Sequence, residues 1–257
     1  LKTLNDTWFM VVRQSRNLAR EPIWIALLLI QPMVWLLLYG QLFKNVTRLG
    51  GFGTTSYVTF LAPAIVVMNA FFGATWSGMA MIGDLDRKVI ERFLATPASR
   101  LAVVLSQIVR SALTAAIQAV IILVVALALG VHVHTGVLGW IVVILAATLV
   151  NSTFAGISQA IALVTRREAT MIAVANFISL PLLFLSSTLI AQKQMPHWIQ
   201  TVSRFNPVNW GVRAARGVVL PGTDWGAVGL DLLFLLLLSA ATASLATWTF
   251  RAYQRSL

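Results

Sequence analysis

Six stretches of the chain are apolar almost without interruption for about 20 positions or more: Ile23–Phe43, Tyr57–Ile82, Ser111–Val131, Leu138–Val164, Ala169–Ile190 and Gly229–Phe250. A helix needs about 20 apolar residues to cross a hydrocarbon core about 30 Å thick, so this pattern predicts six membrane-spanning helices with both termini on one side. Ahead of the first span, Leu4, Trp8, Val11, Val12, Ser15 and Ala19 share one helical face while Asp6, Arg13, Arg16, Asn17 and Arg20 share the other. Residues 1–22 therefore predict an amphipathic helix lying in the membrane interface, its arginines among the headgroups. The first apolar stretch is too long for a secretory signal and lacks a small-residue cleavage site, so it is expected to be retained. The chain starts at Leu1 rather than methionine, and native residues are expected before it.

Two segments break the rhythm of spans. In the loop from Gly83 to Arg110, Asp84 is positioned to cap a helix with Leu85, Val89 and Phe93 on one face and Arg87, Lys88, Glu91 and Arg92 on the other. Pro97 ends it, because proline lacks an amide hydrogen and restricts Thr96 before it. The i,i+4 pairs Asp84/Lys88 and Arg87/Glu91 add only about 0.3–0.5 kcal/mol each when exposed, too little to order so short a helix in water. A short charged helix held between two spans suits docking against another protein. Ala191–Val228 is too long for a turn and too broken to span: His197–Phe205 and Val208–Leu220 predict two short helices separated by Asn206-Pro207. With Trp198, Phe205, Trp210 and Val219, they predict a re-entrant hairpin over residues 197–220, placed to roof a pathway.

Composition confirms the solvent. Of 257 residues 58% are hydrophobic and 11% charged, with mean hydropathy +0.84, against roughly 45–50% apolar and 25% charged in soluble domains. There is no cysteine, which excludes disulfide frameworks and thiolate metal sites. The net charge of +11 would suit nucleic acid if it were gathered in one patch. It lies instead between the spans, with thirteen of the 19 lysines and arginines on the side of the termini and six opposite. The positive-inside rule thus predicts cytoplasmic termini in a cell membrane, and no nucleic-acid partner.

Catalytic signatures are missing. No G-x-x-x-x-G-K-[ST] occurs, and Gly50-Gly51-Phe52-Gly53 lacks the lysine that a phosphate cradle needs. His132 and His134 have no nearby carboxylate or thiol to complete a metal site, and no G-x-S-x-G accompanies a histidine base. Ionisable groups, which ion-coupled transporters place in mid-membrane, are confined to Arg110 and Asp231 at the predicted span ends. The mid-span polar groups are neutral: Gln31, Asn69, Gln118, Asn151, Gln159, Asn176 and Ser179. Asn69, Phe72 and Trp76 share one face of the second span, and Asn176, Ser179 and Leu183 one face of the fifth, where Pro181 predicts a kink. Amides beside aromatics suit an amphipathic or hydrophobic substrate better than an ion.

The run Gly83-Asp84-Leu85-Asp86-Arg87-Lys88-Val89-Ile90-Glu91-Arg92-Phe93-Leu94-Ala95-Thr96-Pro97-Ala98-Ser99-Arg100 resembles the cytoplasmic loop of ABC-2 type transporter permeases, in particular the membrane subunits of daunorubicin-resistance-like exporters. Asn206-Pro207-Val208-Asn209-Trp210, followed by Arg213-Ala214-Ala215-Arg216-Gly217, is similar to the N-P segment before the last span of that family. The resemblance implies one all-α transmembrane domain over residues 1–257: an interfacial helix, six spans, a coupling helix over residues 83–97 and an external re-entrant hairpin. It implies a homodimer of permeases in membrane lipid, with two separate ABC ATPase subunits that bind ATP and magnesium; this chain binds no cofactor and is not itself an enzyme. Asp84, Leu85, Asp86, Arg87, Lys88, Glu91, Arg92 and Phe93 would then meet the ATPase, Asn69, Phe72, Trp76, Asn176, Phe177 and Ser179 would line the substrate pathway, and Phe205, Asn206, Pro207 and Trp210 would form an external gate. The expected function is export of a drug-like or lipid-like hydrophobic compound. The alternatives are a secondary, ion-coupled transporter or channel, and a non-transporting membrane subunit.

Overall fold

The computed structural model describes residues 29–86 and 100–255, and among these the chain is helical with no strand. In order they form α1 (Leu29–Leu42), α2 (Tyr57–Thr75), α3 (Ser77–Asp86), α4 (Arg100–Ala128), α5 (Gly136–Thr165), α6 (Glu168–Phe184), α7 (His197–Ser203), α8 (Pro207–Val219) and α9 (Trp225–Arg255). Among the described residues four stretches are long and apolar enough to cross a membrane: Tyr57–Asp86, which joins α2 to α3, then Val104–Ala128, Gly136–Thr165 and Trp225–Tyr253. α1 and α6 are shorter apolar helices. The interfacial helix expected over residues 1–22 lies outside the described residues, as do Arg87, Lys88, Glu91, Arg92 and Phe93.

Small side chains put α5 at the centre. Ala146, Ala147, Ala155 and Ala162 are fully buried, and α5 touches α2, α3, α4, α6, α8 and α9. Between helices in lipid there is little hydrophobic driving force, so close backbone approach through small residues supplies the packing. At Gly156 an added Cβ would sit 2.9 Å from the Thr242 backbone of α9, so that crossing admits no side chain.

The first of these membrane-length stretches is broken at Trp76. Ser158 of α5 repairs the break: its Oγ donates to the Thr75 carbonyl at 2.7 Å and accepts from the Gly78 amide at 2.9 Å. A helix break at membrane depth persists only where a neighbour satisfies the freed backbone groups, and here one hydroxyl serves both. Asp84, expected to cap a new helix, sits within α3 instead. Leu85 packs on the core and Asp86 is exposed.

Two further boundaries differ from the pattern-based reading. α4 begins at Arg100, not Ser111, which places Arg110 inside the helix. α6 stops at Phe184 although the apolar run continues to Ile190, because Ser186, Ser187 and Thr188 turn inward and are buried.

Candidate functional site

A cavity of about 610 Å³ lies between α1, α2 with α3, α4, α5 and α6. It gathers Asn69, Phe72, Trp76, Asn176 and Ser179, five of the six residues expected to line a pathway, from helices far apart in sequence. The sixth, Phe177, is 80% exposed and does not line the cavity. Gln31, Gln118 and Asn151 join the lining; they were visible as mid-span amides, but nothing in the chain's pattern says which amides meet. Asn69 Nδ2 donates to Gln118 Oε1 at 3.0 Å, tying α2 to α4. Asn151 Nδ2 donates to the Ala70 carbonyl at 2.9 Å, while its Oδ1 is buried without a hydrogen-bond partner among the described residues.

Arg110 also lines this cavity. It lies ten residues into α4, about 15 Å along the axis at 1.5 Å per residue, and so within the apolar stretch that begins at Val104. One of its terminal nitrogens donates to Gln107 Oε1 at 3.3 Å, and Gln107 Nε2 donates to Asp84 Oδ2 at 2.8 Å. A polar relay thus runs from the last turn of α3 into the cavity wall. Sequence reasoning placed Arg110 at a span end because the basic residues around it mimic a loop.

A second polar cluster closes the end of the bundle where α2 begins and α6 ends. Asn206 Oδ1 accepts from the Val208 amide at 2.9 Å and so starts α8, with Pro207 at the first helical position, where its missing N–H is no loss. The Asn206 Nδ2 donates to the carbonyls of Leu182 at 2.7 Å and Leu185 at 3.0 Å, capping α6. Asn209 Oδ1 accepts from the Ser187 amide at 2.9 Å and its hydroxyl at 2.7 Å. Buried Arg216 donates from Nε to the Phe60 carbonyl at 2.9 Å and from its terminal nitrogens to the carbonyls of Thr188, at 2.6 Å, and Ser187, with its guanidinium 3.5 Å over the Phe60 ring. Burial pushes its pKa down to about 9, so at neutral pH the cation remains and is neutralised by carbonyl dipoles. Arg213 pairs with Asp231 of α9 at 3.1 Å, and Trp210 Nε1 donates to the Arg204 carbonyl at 2.6 Å. Of the four residues expected at a gate, Asn206 and Pro207 build this joint, Trp210 is half-buried against it and Phe205 is exposed.

Membrane-length helices around a polar cavity, with an Asn-Pro joint before the last helix, fit the family that the sequence resembles, and the profile of the ABC-2 type transporter family matches residues 5–220. The chain belongs to that family. Three relatives bear this out. The transport permease ycf38 of Porphyra purpurea is 28% identical over 217 residues, 84% of this chain and 74% of the relative. The daunorubicin resistance ABC transporter permease protein DrrB1 of Streptomyces coeruleorubidus is 23% identical over 254 residues, 98% of this chain and 86% of the relative. Nodulation protein J of Rhizobium leguminosarum bv. trifolii is 28% identical over 218 residues, 83% of this chain and 81% of the relative. This ABC-2 protein is accordingly a multi-pass membrane permease subunit of an ABC transporter.

Proposed function

We propose that this permease is the translocation half of an ATP-driven exporter of a drug-like or lipid-like compound, and that the cavity below the Asn69–Gln118 bridge is its substrate pathway. The observation that supports this most directly is the convergence of Asn69, Phe72, Trp76, Asn176 and Ser179 on one cavity. In this reading the chain crosses a cell membrane six times, with α1 and α6 as the first and fifth spans and both termini cytoplasmic. Two copies pair, and two ATPase subunits binding ATP and magnesium sit beneath them. Phe177, exposed on α6 beside the cavity, faces the second copy. The α7–α8 hairpin, held by Asn206, roofs the pathway as its external gate.

Residues 83–97 carry the motion. Shifting a pathway from 1:99 to 99:1 between inward and outward states requires about 5.5 kcal/mol of preference, so this segment must be firmly docked in the ATPase. Glu91→Lys is therefore expected to leave ATP hydrolysis running while transport falls at least tenfold, measured side by side in proteoliposomes containing permease and ATPase. Unchanged, ATP-dependent transport in that variant would remove the coupling role. Arg110 inside α4 does not favour an ion-coupled alternative, because arginine holds its proton throughout the physiological range and cannot shuttle one. The whole reading is tested by transport into vesicles: it should need the ATPase and ATP, and should survive collapse of the proton gradient.

A further inference from the structure

The cavity has two chemically different ends. The Asn69–Gln118 and Asp84–Gln107 bonds show that the α2–α3 stretch and α4 run antiparallel and set their register. Arg110 precedes Gln118 by eight residues, so its level lies roughly 12 Å along the axis from that bridge at 1.5 Å per residue. Trp76 follows Asn69 by seven residues and Phe72 by three, so Trp76 stands near the level of Arg110 and Phe72 between the two levels. One end of the cavity is cationic, and the other is made of neutral amides.

No acidic residue lines the cavity among the described residues. The side-chain partner of Arg110 is the neutral Gln107, and Arg110 Nε is buried without any hydrogen-bond partner among the described residues. Asp84 acts on Arg110 electrostatically, but it stands behind Gln107 rather than in the cavity wall. A charge within the hydrocarbon stretch is costly to place there, and one that lines a cavity with no acidic residue in its described wall marks the path of something that will pair with it. A guanidinium matches carboxylate and phosphate oxygens through several parallel N–H donors.

We propose that Arg110 is the headgroup site of this cavity and that the transported compound is an anionic amphiphile, its phosphate or carboxylate on the Arg110 guanidinium and its apolar body along Trp76 and Phe72. This inference rests on the reading of the cavity as the substrate pathway. It narrows a drug-like or lipid-like substrate to one sign of charge and fixes which end enters the cationic side.

Two probes that share a twelve-carbon tail, dodecyl phosphate and dodecyltrimethylammonium, test it below their micellar concentrations. The full-length permease is held in phosphatidylcholine nanodiscs, and binding is corrected for partition into empty discs. The wild-type protein is expected to bind dodecyl phosphate at least tenfold more tightly. Arg110→Gln should abolish that preference and Arg110→Lys should keep most of it, whereas Trp76→Ala should weaken both probes alike. Equal wild-type affinity for the two probes, or a preference that survives Arg110→Gln, overturns the anionic assignment; the wild-type comparison stands even where a variant fails to fold. A headgroup-independent loss in Trp76→Ala then still supports the pathway. If neither Trp76→Ala nor Asn69→Leu alters the binding of either probe, the pathway reading itself fails.

Discussion

Arg216→Met is expected to lower the melting temperature of the detergent-solubilised permease by roughly 10 °C. The arginine is buried and holds the carbonyls of Phe60, Ser187 and Thr188. Phe60 belongs to α2 and keeps a helical role for its carbonyl, but Ser187 and Thr188 lie in the turn after α6 and have no ladder to return to. Each carbonyl left buried without a donor costs about 1–3 kcal/mol, so truncation should remove roughly 3–5 kcal/mol in all. At about 2–4 °C per kcal/mol for a chain of this length, that is a shift a thermal scan resolves clearly. Arg216→Lys should recover only part of it, since one ammonium cannot reach three carbonyls in the plane that a guanidinium spans. A melting temperature within about 2 °C of wild type for the methionine variant would mean that the turn after α6 is held by Asn206 and Asn209 alone.

That turn also shows where the chain's pattern stops being informative. Apolar periodicity located the membrane-length helices, because burial in lipid needs only length and hydropathy, both of which are local. It also put Asn69, Phe72 and Trp76 on one face, and Asn176 and Ser179 on another, since helical spacing is local too. Phe177 left that set because the next residue along a helix points about 100° away, and α6 turns that direction outward. The end of α6 was not legible. Ser187 and Thr188 look like the tail of a span until Asn209 and Arg216, more than twenty residues later, fold back to bind them. Tertiary hydrogen bonds decide where α6 ends, and no window of about 19 residues contains both partners. Arg110 was misplaced for a different reason. A charge reads as a span end until its partner is known, and for Arg110 that is Gln107, one turn away on the same helix.

The second large effect is expected at the break beside the cavity. Gly78→Ala would place a Cβ 2.5 Å from the backbone carbonyl oxygen of Ser158, in a crossing that has no flexible side-chain end to yield. Overpacking of this kind costs typically 1–3 kcal/mol, and α3 must additionally move off α5, which stretches the Gly78 amide away from the Ser158 hydroxyl. Ser158→Ala attacks the same joint chemically, leaving the Thr75 carbonyl and the Gly78 amide both without partners, for roughly 2–4 kcal/mol. The two changes should not rescue each other, because the clash is with the Ser158 backbone and survives loss of its hydroxyl. Gly83→Ala provides the steric control: among the described residues nothing lies within 4 Å of its added Cβ, so its melting temperature should be unchanged or slightly raised through helix propensity. Trp76 sits at the break and lines the cavity, so the two joint variants should also impair transport in proteoliposomes beyond their loss of folded protein. Equal melting temperatures for Gly78→Ala and Gly83→Ala, with transport by Gly78→Ala equal to wild type, would show that α3 does not lean on α5, and that Trp76 is held in the cavity by something other than this joint.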